Sequence, residues 1–147
     1  MTKNIEFYCD GGARGNPGPA AIGVVIKINT KTIKTISQTI GDTTNNVAEY
    51  QALVAALQYC ADQQQLQDHK IKVFMDALLV VKQVMGEYKI KSTHLKPLLA
   101  KVKFLTAKFA LPVVFQTVPR EQNKEADFLV NKALDSGMTG SRPNFGL

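Results

Sequence analysis

The chain has 147 residues, 45% of them hydrophobic and 20% charged, with a net charge of +6; this is the size and composition of one globular domain, and it buries roughly 70% of its unfolded surface without any covalent staple. Its two cysteines, Cys9 and Cys60, lack CxxC spacing and exclude a disulfide framework. No stretch approaches the roughly 20 apolar residues of a membrane span, and Met1 to Asp10 has no long apolar core, so a soluble cytoplasmic protein with reduced thiols and no membrane partner is expected.

The elements follow in chain order. Residues 3–9 alternate, with Ile5, Phe7 and Cys9 on one side and Glu6 and Tyr8 on the other, which predicts a strand ending at Asp10. Gly11 to Pro19 reads as a turn-rich loop. Strands are predicted over 20–28 and 32–40, joined as a hairpin through Asn29-Thr30-Lys31. The polar run Gly41 to Asn46 supplies a helix cap, and a helix follows over 47–62. After a polar connector, 71–75 is a short buried strand ending at Asp76. Helices are predicted over 78–85, stopped by Gly86, and over 94–109, with Pro97 in the first turn. Residues 112–118 form a last strand. A last helix spans 121–134 and stops near Gly137, leaving 138–147 as a flexible tail to a domain of residues 1–137. The order βββ-α-β-α-α-β-α implies an α/β mixed sheet with helices on its faces.

Charge is concentrated. Between Lys82 and Lys108 stand seven lysines against one acid, Glu87, while the remainder carries eleven basic and eleven acidic residues. Such a segment suits a polyanionic partner, although solvated lysines on helix faces would look the same.

Four acids defy the folding pattern. Asp10 and Asp76 each close a predicted strand. Glu49 heads an apolar helical stripe of Ala52, Leu53, Ala56, Leu57 and Cys60, where an isolated carboxylate is costly. Asp127 lies early in the last helix, with Val130 and Leu134 behind it. Three have a plainer reading: Asp10 as a turn residue, Asp76 as a helix cap, Asp127 as a partner of a helix dipole; Glu49, among apolar neighbours, has the weakest. In an open α/β sheet, however, strand ends and helix starts gather at one edge. Converging carboxylates call for hard divalent ions, Mg²⁺ above all. Two ions about 4 Å apart can clamp both oxygens of a phosphodiester displacement.

The string Tyr8 to Pro19, YCDGGARGNPGP, resembles the first motif of type 1 ribonuclease H. Thr44 to Tyr50, TNNVAEY, is similar to its second, Val73 to Asp76 to its third and Glu125-Ala126-Asp127 to its fourth, in matching order over about residues 3–136. The resemblance implies a ribonuclease H-like fold with a five-stranded mixed sheet and helices on both faces. It implies Asp10, Glu49, Asp76 and Asp127 as ligands of two Mg²⁺ ions, for which Mn²⁺ is expected to substitute, with no small-molecule cofactor. The expected partner is an RNA–DNA hybrid, whose RNA strand is hydrolysed to 5′-phosphate and 3′-hydroxyl ends, and a monomer is expected. Gly11, Gly12, Asn16, Thr44, Asn45 and Asn46 are implied substrate contacts: glycine-loop amides at RNA 2′-hydroxyls, Asn16, Thr44 and Asn46 on the DNA strand, Asn45 in the minor groove.

The sequence departs from the family pattern in three places. Ala77 and Leu78 follow Asp76 where polar residues are usual. The loop from Val118 to Lys124 has no histidine, and Arg120 is expected in its stead. An arginine cannot serve as a general base near neutral pH, so its expected role is electrostatic. The long basic protrusion is missing, leaving Lys89 and Lys91 to meet DNA phosphates. Two rival readings stand beside the nuclease: a non-catalytic hybrid-binding module, and a related nuclease that also acts on double-stranded RNA.

Overall fold

A computed structural model describes residues 3–139. Five strands form one sheet: β1 (Asn4–Ala13), β2 (Gly18–Ile28), β3 (Lys31–Thr43), β4 (Lys70–Met75) and β5 (Val114–Thr117). The four α-helices among the described residues are α1 (Asn45–Ala61), α2 (Leu78–Val84), α3 (Lys96–Thr106) and α4 (Lys124–Thr139), with single 3₁₀ turns at Gln64–Leu66 and Arg120–Gln122. None is long and apolar enough to cross a membrane.

The sheet order is β3-β2-β1-β4-β5. The hairpin β2–β3 and the pair β1–β2 are antiparallel, whereas β1–β4 and β4–β5 are parallel. The expected hairpin turns on Asn29 and Thr30, both at positive φ (49° and 72°), the backbone a tight two-residue hairpin requires.

Period-two alternation divides the sheet between two layers. Ile5, Phe7 and Cys9 of β1 and Ile22, Val24 and Ile26 of β2 join the main core with α1, which lays down Ala52, Leu53, Ala56, Leu57 and Cys60. The hydroxyl of Tyr50 donates to Gln83 Oε1 (2.8 Å) inside this layer and locks α1 to α2. On the opposite face Ala21 packs with Val130, Ala133 and Leu134 of α4. Gly23 makes that approach possible, because a Cβ there would collide with the Ala126 carbonyl. Helices therefore cover both faces, as the resemblance implies.

Most element ends shift by one to three residues, the last helix starting at Lys124 rather than 121, and two boundaries at glycines differ from expectation. β1 does not stop at Asp10: Gly11, Gly12 and Ala13 continue the ladder against Ile22, Ala21 and Ala20. Asp10 thus lies inside the central strand, on the face opposite Ile5, Phe7 and Cys9. Nor does α4 break near Gly137, since it runs on to Thr139. A Cβ at Gly137 would sit 2.9 Å from Thr39 Cγ2, so this glycine accommodates β3 rather than ending a helix. The remainder of the expected tail, 140–147, lies outside the described residues.

Candidate active site

Parallel pairing of β1 with β4 sets the geometry. The register Tyr8↔Phe74 is the last pair of that ladder; continued by two residues, it places Asp10 level with Asp76, just past the end of β4. Helix α1 brings the third acid. Thr44 caps it, its Oγ1 accepting from the Val47 amide (3.3 Å). Two bonds pin the first turn to the end of β1 and the loop after it: Asn45 Oδ1 accepts from the Ala13 amide (2.8 Å), and Asn16 Oδ1 accepts from the Asn45 amide (3.0 Å). Gly11 lets helix and strand touch, because an added Cβ would overlap the Ala48 carbonyl and the Glu49 amide. Glu49 is carried to Asp10 by this contact. Asp127 arrives from the first turn of α4.

The four acids meet in one cavity of about 420 Å³, shared with Gly11, Gly12, Ala13, Arg14, Asn45, Arg120 and Asn131. Asp76 does not cap the helix after it: the N-cap of α2 is Ala77, without a side-chain hydrogen bond. Asp10 is 7% exposed, and its acidity reports the crowding. Burial first, then the charges of Asp76, Asp127 and Glu49, push its pKa up to about 8, against a hydrogen bond from the Gly11 amide that favours the anion. Glu49 is pushed up to about 7 by burial and by Asp76, with Arg120 pulling the other way. Among the described residues no three acids already surround one point closely enough to hold an ion. The carboxylates share a cavity without forming a finished coordination shell.

Raised carboxylate pKa values make the metal-free fold pH-sensitive. The unfolded chain releases these two protons near 3.8 and 4.5, whereas the folded chain keeps them to about 8 and 7. Between those limits the folded state binds more protons, so its stability falls as pH rises. In EDTA, Tm is expected to drop by several degrees from pH 5 to pH 8.5, because even 1 kcal/mol shifts a chain of this size by about 3 °C. Mg²⁺ should reverse the drop at the alkaline end. A flat Tm across this range in differential scanning calorimetry would contradict the crowding.

Arg120 stands in the 3₁₀ turn before α4, its Nε 3.5 Å from Asp76 Oδ2, with 78% of its side chain exposed. Its charge also acts on Glu49, and Arg14, which lines the same cavity, pairs with Asp135 at 2.6 Å. A second cavity of about 380 Å³ is lined by Asn16, Thr44, Asn46, Ser92 and His94. Lys89 and Lys91 are exposed on the connector between α2 and α3 and line neither cavity; the structure does not bring them to the acids.

Sequence reasoning missed Arg14, Asn131 and, above all, Asn123. Asn123 is 1% exposed, and its Nδ2 donates to the Cys9 carbonyl (2.9 Å) and to Asp76 Oδ1 (3.3 Å). In the sequence it falls inside the helix expected over 121–134, and nothing there marks it; the structure starts α4 one residue after it.

The reverse transcriptase-like family model matches residues 8–133. LC11-RNase H1, isolated from compost by a metagenomic approach and solved in complex with RNA/DNA hybrid, superposes with a TM-score of 0.87 at 46% identity, over 91% of this chain and 99% of that one. The chain belongs to the type 1 ribonuclease H family. Ribonuclease HI of Halobacterium salinarum is 38% identical over 132 residues, 89% of this chain and 64% of its own length. Bifunctional protein Rv2228c of Mycobacterium tuberculosis is 40% identical over 134 residues, and the chain spans 36% of that larger protein. The chain has no helix between α2 and α3, in keeping with the missing protrusion.

Proposed function

We propose that the chain is an endoribonuclease that hydrolyses the RNA strand of RNA–DNA hybrids. The observation that carries this reading is the meeting of Asp10, Glu49, Asp76 and Asp127, from four elements, in one cavity. The solved hybrid complex of LC11-RNase H1 supports the choice of substrate. A module built only to bind a polyanion would not gather negative charge on its binding face.

The donor set fits divalent metal. All four side chains offer hard oxygen atoms, and the uncompensated crowding at Asp10 and Glu49 is what a hard cation relieves. We assign the four acids as ligands of two Mg²⁺ ions, replaceable by Mn²⁺. When bound, such ions supply Lewis-acid polarisation of the phosphodiester and lower the pKa of a water, giving 5′-phosphate and 3′-hydroxyl ends.

The chain's own groups position the strands. Gly11 and Gly12 line the acidic cavity, and Gly12, whose Cβ position is free of close contacts, leaves room there for an RNA backbone and its 2′-hydroxyls. Asn16, Thr44 and Asn46 would hold a DNA phosphate in the second cavity. Because Asn45 Oδ1 is taken by the Ala13 amide, Asn45 presents its amide protons to minor-groove acceptors. Lys89 and Lys91 would add phosphate contacts beyond these cavities, weakening with salt. Arg120 steadies Asp76 and places positive charge where phosphate charge develops. Arg120→Ala is expected to slow kcat about tenfold with little change in KM; steady-state rates equal to those of the parent would return Arg120 to the solvated surface.

The deciding experiment is cleavage of a labelled hybrid in Mg²⁺, Mn²⁺ or EDTA, with single-stranded and double-stranded RNA as controls. Cutting of the RNA strand of the hybrid alone, abolished by EDTA, is the expected outcome. No cutting of the hybrid with either ion, or cutting that survives EDTA, would overturn the reading.

A further inference from the structure

Asn123 makes contacts that a helix cap does not require. It lies between the 3₁₀ turn Arg120–Gln122 and α4, and its backbone carbonyl accepts from the Asp127 amide (3.1 Å). Its side-chain amide donates both to the Cys9 carbonyl, one residue before Asp10, and to Asp76 Oδ1. One buried residue thus touches the strand carrying Asp10, the carboxylate of Asp76 and the helix turn carrying Asp127. The orientation of the amide is fixed by chemistry. Both neighbours at its nitrogen end are acceptors, so turning the group over would press its oxygen against a carbonyl and a carboxylate.

The other end of the group says more. Asn123 Oδ1 is buried with no hydrogen-bond partner among the described residues. An orphaned buried carbonyl opposes folding, a cost that the bonds at the other end of the group have to offset. The gain is at the nitrogen. Asp76 Oδ1 is held by Asn123 and Asp76 Oδ2 by Arg120 at 3.5 Å, so both oxygens are restrained and the carboxylate cannot swivel freely. The two restraints are unequal. The Arg120 side chain is 78% exposed and Asn123 is 1% exposed, so Asn123 is the rigid one.

We propose that Asn123 is a positioning residue of the active site, which holds the Asp76 carboxylate in plane and in register with the strand bearing Asp10. The inference rests on the metal-dependent nuclease reading given above. Asparagine suits the task where its relatives do not. Aspartate would turn the donor into an anion facing Cys9 O and Asp76 Oδ1, and alanine would free Asp76 on its inner side.

The test compares Asn123→Ala and Asn123→Asp with the parent in three measurements: Mg²⁺ binding to the free protein by calorimetry, the kcat and KM split on a labelled hybrid, and Tm. Support groups around a metal site typically carry 10- to 100-fold in affinity or rate. We expect Mg²⁺ affinity about tenfold weaker, kcat down about 10- to 100-fold, KM within twofold, and the aspartate variant the worse of the two. Variants that lose Tm but keep kcat and Mg²⁺ affinity within twofold would reduce Asn123 to a structural residue and overturn the proposal. Should both variants fail to fold, the parent decides by itself. With asparagine side chains labelled for NMR, the Asn123 amide signals must move when Mg²⁺ is added, and unmoved signals with Mg²⁺ bound overturn the proposal. A parent protein that neither binds Mg²⁺ nor cuts hybrid sinks the nuclease reading and this proposal with it; an active parent with unaffected variants sinks this proposal alone.

Discussion

Asp10→Asn should leave the hybrid bound and uncut. Asp10 is the acid on which the charges of all three others act, and it is the one held inside the central strand of the sheet. Asparagine keeps the shape and one oxygen but removes the negative charge that a cation needs. The expected loss in kcat is on the order of 10³-fold or more, the scale seen when a single group acting on the reacting centre is deleted. Binding should not suffer, because one negative charge fewer faces a polyanion. Nor should the fold, since a buried and crowded carboxyl is exchanged for a neutral amide. Single-turnover cleavage and fluorescence anisotropy on the same hybrid separate the two effects. Cutting at the parental rate would remove Asp10 from the site.

Gly11→Ala should damage both fold and activity, by a different route. The new Cβ would land on the Ala48 carbonyl and the Glu49 amide. Those are backbone atoms of α1, and no rotamer change can move them away. The first turn of α1 must retreat, at a cost of about 1–3 kcal/mol for overpacking, which lowers Tm by about 3–10 °C. Retreat also carries Glu49 from Asp10, and a shift of about 1 Å at such a site can cost about 10²-fold in rate. Activity measured well below Tm should therefore fall further than stability explains. Gly12→Ala is the contrast. Its Cβ would meet Val130 Cγ1 at 3.6 Å, an ordinary contact, and Tm should hold. Equal melting and equal kcat for Gly11→Ala and the parent would show that α1 is not seated on this glycine.

The order of elements and the division into two faces were legible because periodicity records burial. Ile5, Phe7 and Cys9 alternate and are fully buried, and the stripe from Ala52 to Cys60 is the buried side of α1. The strings around Asp10, Glu49, Asp76 and Asp127 were equally legible, and the structure gathers those four residues in one place. What the sequence concealed was set by tertiary contact. Gly11 and Gly12 look like turn residues, yet they pair in β1, because glycine also serves where a helix must press on a strand. Gly137 looks like a helix stop and lies within α4 for a similar reason. Asn123 carries no periodic signal, since its importance comes from Cys9 and Asp76, which are remote in the chain. Lys89 and Lys91 were conspicuous by composition, and composition does not fix direction.

The dispersal of the acids over β1, α1, the end of β4 and α4 has a consequence for how activity is lost. No fragment or partly melted form retains a working subset, because β1 and β4 become neighbours only after the chain between them has folded back. Catalytic competence and global cooperativity are thus the same transition: thermal inactivation should trace the calorimetric endotherm, with no earlier shoulder.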